Sequence, residues 1–282
     1  MSAHLAEIAE AGASGGVVAA YADIRATLGL PVVNLVYRHL ASEPGRLEAL
    51  WADVAPALRD PAAERLATEV AAAVPALAVA AIPATALGAA GVDARALRDL
   101  AVTLDAYDRG NAVNLLAIIA LLDGVATSAR PPAAGRVTAP AANGAAPPAL
   151  PPMVDLDVLH PAARALVEEM SAAVSGPARP LLVPSLFRHL TRPPALLPLA
   201  WTVLQGPLGT AAFAAAAGRV ADTARAAAAS LPAGVPRADD PGTRTALGRF
   251  LGAVPRMLVV SAMLRAAFAE GLAGAGAAEG AA

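Results

Sequence analysis

The sequence predicts an all-α protein made of two tandem helical repeats, each of about 125 residues, packed as a pseudo-dimer and joined by a Pro/Ala-rich linker. Three observations carry that expectation. Alanine, the strongest helix former, supplies 79 of the 282 residues. No stretch alternates β-branched with polar residues as a half-buried strand would. Tyr37-Arg38-His39-Leu40, Pro44, Leu47 and Trp51 recur at a constant offset of 150 as Phe187-Arg188-His189-Leu190, Pro194, Leu197 and Trp201. The protein has only two tryptophans, and they occupy matched places. Units of this size are far longer than solenoid repeats, and two such copies commonly pack around an isologous-like interface.

In chain order, residues 1–125 form the first repeat. Pro31, Pro44, Pro56 and Pro61 divide it into short helices, since proline breaks or begins a helix. Residues 70–92 lack charge but owe their apolar character to alanine and contain Pro75 and Pro83. They read as a buried Ala-rich helix broken at the prolines, not a bilayer span, which needs ~20 strongly apolar residues. Leu100, Leu104, Tyr107 and Asn111 share a helical face that leads into the uncharged segment Asn111 to Leu122. Residues 126–153 hold seven prolines among Ala, Gly and Ser/Thr and read as a linker. Residues 154–272 form the second repeat, punctuated by Pro184, Pro194, Pro198, Pro207, Pro232, Pro236, Pro241 and Pro255. Residues 273–282 read as a frayed, disordered low-complexity tail.

Composition removes several functions. There is no cysteine, so disulfide, thiolate and thiolate-zinc chemistry is excluded. All 21 basic residues are arginine, which removes Schiff-base and P-loop lysine mechanisms. A net charge of −2 speaks against nucleic acid as a partner. No Lys or Arg precedes Arg25, so the N-terminus lacks a signal-peptide pattern and a cytoplasmic location is expected. His39 and His189 have no second ligand at helical spacing, so no metal is expected, and no cofactor motif occurs. The paired Arg38-His39 and Arg188-His189 fit a duplicated structural contact, such as arginine bonding a helix carbonyl or carboxylate, or a catalytic pair. Asn111 and Asn114 are costly inside a helix unless satisfied. One of them would cap the helix and the other bond a neighbour, or Asn111 would face a cleft between the repeats. The second repeat has Leu258 and Ser261 at those places, so the pair is not demanded by the repeated unit.

The residues resemble a known family. Asp23-Ile24-Arg25-x-Thr27-Leu28-x-x-Pro31, then Arg38-x-Leu40-Ala41-x-x-Pro44-Gly45-x-Leu47 and Trp51, are similar to the group I 2-haloacid dehalogenases. Gly110-Asn111 and Phe187-x-x-Leu190-x-x-x-Pro194 continue the match. The resemblance implies an all-α pseudo-dimer with one active site between its halves. There an activated water displaces halide from a small 2-substituted carboxylic acid, with inversion and without a covalent ester. It implies that Asn111 orients the water and that Ser185 lies in the pocket. The position of the family's general-base Asp holds Leu186. The aromatic pocket positions hold Val32 and Leu35, and the late tyrosine position holds Val254. His189, roughly one turn along the same face from Leu186, is then the substitute base, titrating near neutrality. Asp108 is the second choice. Asn111 and His189 are thus the expected catalytic residues. Val32, Leu35, Asn114, Ser185, Leu186 and Val254 are the expected substrate contacts, with a small carboxylic acid as ligand. The other reading is a non-catalytic binding or interaction protein of the same fold. Pairing into a true homodimer stays open.

Overall fold

The computed structural model describes residues 3–126 and 149–279, and among them the regular structure is helical. Residues 127–148, most of the expected linker, lie outside the described residues.

The helices are α1 (Gly16–Leu28), α2 (Leu35–Leu40), α3 (Arg46–Leu58), α4 (Pro61–Ala72), α5 (Ala84–Ala89) and α6 (Ala94–Asp123). After the undescribed segment come α7 (Pro161–Ser175), α8 (Ser185–His189), α9 (Leu196–Leu208), α10 (Ala211–Ala228), α11 (Pro241–Ala267) and α12 (Ala269–Glu279). Helices α8, α9 and α10 begin 150 residues after α2, α3 and α4. Local chemistry explains where several of them start. Asp60, Asp93 and Asp240 cap α4, α6 and α11 by accepting from backbone N–H groups at 2.8, 2.8 and 2.6 Å, and Thr210 caps α10. Pro61, Pro161 and Pro241 follow their caps directly, where a missing N–H costs nothing.

The two long helices α6 and α11 pack against each other along the centre, and α4, α10 and α12 lie on α6. Leu104, Leu115, Leu116, Val259, Val260 and Leu264 are fully buried in this layer. Helix α11 is long and apolar enough to cross a bilayer, yet two thirds of its apolar window (67%) is buried by its neighbours inside the fold. Two short backbone bridges tie distant parts together. Val125 exchanges hydrogen bonds with Val235 (2.9 and 3.0 Å), and the N-terminal segment pairs with Leu181 (2.8 and 2.9 Å).

Four expectations need correction. Pro56, Pro207 and Pro255 lie inside helices; the first two sit in last turns, and Pro255 is buried within the heavily packed α11. Residues 74–83 are not a buried helix: Pro75 and Pro83 interrupt the run, and the segment is half-buried to exposed and has no regular structure ahead of α5. Residues 273–279 are not frayed but continue α12, where Ala275 is buried. A side chain at Gly271 would collide with Leu87 and Leu97, so glycine is what lets α12 sit this close to α5 and α6. Asn111 and Asn114 cap nothing; both lie mid-helix in α6, which Asp93 caps.

Candidate functional site

A cavity of about 650 Å³ is lined by residues from both described stretches of the chain. Glu7, Ala9 and Glu10 come from the N-terminal segment, and Arg25 and Ala26 from α1. Leu30, Pro31 and Val32 come from the loop that follows α1, and Tyr107 from α6. Residues 149–153, the described end of the expected linker, close one wall. Arg38 of α2 and Arg188 and His189 of α8 complete it. This volume suits a small organic ligand.

Its polar centre is built on the repeated arginines. Arg38 and Arg188 are 4% and 5% exposed, and both reach one carboxylate. Arg38 Nε donates to Glu7 Oε2 at 2.7 Å and Arg188 Nη1 donates to Glu7 Oε1 at 2.9 Å. Each guanidinium is also fixed elsewhere. Arg38 donates to the Val33 carbonyl (3.0 Å) and the Ser185 hydroxyl (2.9 Å). Arg188 donates to the Val154 carbonyl (2.9 Å) and Asp155 (2.6 Å). These are the carbonyl and carboxylate bonds expected of a duplicated structural feature, with one addition: Glu7 spans both copies.

The histidines that follow these arginines part company. His39 bonds the Ala6 carbonyl through Nδ1 at 2.7 Å and lies near Phe250. His189 is buried, lines the cavity and stacks edge-on to Tyr107 at 5.7 Å. Neither of its ring nitrogens has a full hydrogen bond among the described residues. Burial first, and the charges of Arg188 and Arg38 next, push its pKa down to about 4, opposed only by a backbone interaction with Pro151. The expected titration near neutrality therefore does not hold, and His189 is a neutral, weak base. Burial likewise raises the Tyr107 phenol to about 12, against which the Ser185 hydroxyl and the two arginines act.

Of the expected residues, Val32 and His189 line the cavity, and Ser185 touches its wall through Arg38. Asn111 is buried one helical turn beyond Tyr107 on the same side of α6 and makes no side-chain hydrogen bond among the described residues. Asn114 is buried with its side-chain oxygen unpartnered. Leu35 is half-buried against the core, and Leu186 and Val254 are buried in it; none of the three lines the cavity. Asp108 is ion-paired to Arg265 at 2.8 Å beside a second, smaller cavity of about 310 Å³. Gly110 has a steric reason: a Cβ there would lie 3.0 Å from Asn34 Nδ2 and 3.1 Å from Leu30 Cδ1, so glycine allows the cavity loop to rest on α6. Sequence reasoning missed Glu7 altogether. The matched arginines were the available signal, since two buried cations need an anion, but nothing in the N-terminal sequence marks which carboxylate supplies it.

No family model matches the chain, and no curated protein matches it by sequence. Solved structures do match. A D-2-haloacid dehalogenase with L-LA superimposes with a TM-score of 0.78 at 18% identity, over 94% of this chain and 96% of that one. The fold is that of the D-2-haloacid dehalogenases. A mutant D-2-haloacid dehalogenase with D-2-CPA gives a TM-score of 0.74 at 18% identity, covering 94% of this chain and 95% of that chain. A further D-2-haloacid dehalogenase mutant gives 0.72, also at 18% identity, with 95% of each chain covered. The resemblance read from the motifs is thus met by a match along nearly the whole chain.

Proposed function

We propose that the chain is two copies of one helical unit, residues 1–125 and 154–272, packed as a pseudo-dimer around one site for a small 2-substituted carboxylic acid. The observation that carries this reading is the cavity itself, with two buried arginines from matched positions beside an apolar wall. The fold is shared with dehalogenases whose structures hold 2-chloropropionate and lactate, which supports a ligand of that class.

The chemistry such a site supports is hydrolytic displacement. A water oxygen attacks C2 opposite the halide, the C–halogen bond breaks with its electron pair leaving on the halide, and the water's proton passes to a base. Asn111, one turn from Tyr107, is the candidate to orient that water, and Ser185 to order the wall. The base is the weak part. Leu186 has no lone pair, and a histidine with a pKa of about 4 lies well below the operating pH that favours general-base catalysis. This favours binding with very slow turnover, and it is the observation behind the second reading, a binding protein without catalysis.

Halide release from 2-chloropropionate measures the difference. The natural protein should release halide at or near the background rate. Leu186→Asp places a carboxylate in the core, outside the cavity lining, so it should lower stability and leave halide release at background. Rapid release by the natural protein that survives His189→Ala would overturn the assignment of the base.

A further inference from the structure

Glu7 is shared by two arginines that the fold brings to one point from 150 residues apart. Its place matters because the arginines do not depend on it for their position. With Glu7 taken away, Arg38 keeps its bonds to Val33 and Ser185, and Arg188 keeps its bonds to Val154 and Asp155. What would remain is one N–H on each guanidinium, Nε of Arg38 and Nη1 of Arg188, aimed at a carboxylate-sized gap. Arg38 would then have no carboxylate partner among the described residues, and Arg188 only Asp155, which is 77% exposed. Buried cations left in that state favour any anion that fits.

We propose that this gap is a carboxylate-binding site, that Glu7 is its tethered occupant, and that the carboxylate of a small 2-substituted acid binds by replacing the Glu7 side chain. The proposal rests on the carboxylic-acid reading above and names where the acid group sits. Two neighbouring features support it. His189, buried and without a full hydrogen bond, faces the same cavity, so a polar ligand there has a partner waiting. The wall beyond the arginines includes Pro31, Val32 and Leu150, which would meet an apolar 2-substituent.

The exchange is a local motion. The backbone around Glu7 is pinned on both sides: Leu5 N–H donates to Leu181, Ile8 N–H donates to the Arg38 carbonyl, and Tyr21 donates to the Ile8 carbonyl. The strap therefore stays while the side chain, already 25% exposed, swings toward solvent. A resident carboxylate taxes every incoming one, because the ligand sees only the fraction of molecules in which Glu7 is displaced.

Removing that competitor is the test. Calorimetric titration with 2-chloropropionate should show E7Q binding at least about tenfold more tightly than the natural protein, since hydrogen bonds between charged groups are lost from the competing side. Neutral propionamide should gain nothing. If the natural protein binds 2-chloropropionate and E7Q binds it no better, or if propionamide gains equally, the proposal is overturned while the carboxylic-acid reading stands. If neither protein binds, both fail. Should E7Q not fold, E7D serves instead: its carboxylate is held one methylene short of the two guanidiniums and competes less, so it must bind 2-chloropropionate more tightly than the natural protein, and no gain overturns the proposal.

Discussion

Single side chains at this site behave according to how they are buried. His39 and His189 belong to identical Arg-His pairs, yet only His39 makes a full hydrogen bond to a carbonyl. His189 has a lowered pKa, about 4 against the ordinary 6.5, so the unfolded chain binds its proton more readily than the folded one. Its contribution to stability is thus complete above pH 6.5 and is lost as pH falls toward 4. Between pH 7 and pH 5 the natural protein should lose about 2 kcal/mol more than His189→Phe, which keeps a ring against Tyr107 but takes no proton. Urea unfolding at the two pH values measures this, and equal losses would contradict the burial of a neutral imidazole. The Arg-His repetition was legible in the sequence. What separated the two copies was not, because it depends on the Ala6 carbonyl on one side and two guanidiniums on the other.

At the scale of the helix, matched sequence does not guarantee matched burial. Trp51 of α3 is 5% exposed, donates to Asp23 at 2.7 Å and stands edge-on to Tyr37 at 5.6 Å. Trp201, at the equivalent place in α9, is only half-buried and packs at the margin of the core. Trp51→Ala should therefore cost ~3–5 kcal/mol, and Trp201→Ala about 1–2 kcal/mol. Chemical denaturation of both variants checks the order. Helix existence was readable from alanine content and periodicity. Prolines were misread where tertiary packing overrides a local break, as at Pro255 in α11, and α12 was missed because its low-complexity sequence hides the close contact that Gly271 permits.

For the whole molecule, the class of fold was legible because the motif order and spacing survive along the chain, and the structural match over 94% of it agrees. The cavity as a whole was not, because part of its wall comes from segments with no local signature: the N-terminal strap and residues 149–153. The central claim is that this cavity binds a small carboxylic acid. Val32 lines it from a loop and is half-buried, so Val32→Trp fills the space without disturbing the arginines or the core. Titration of 2-chloropropionate into the natural protein and Val32→Trp, followed by calorimetry, should show one saturable site in the first that is lost in the second. No saturable binding to the natural protein, or an affinity unchanged by Val32→Trp, would contradict the account.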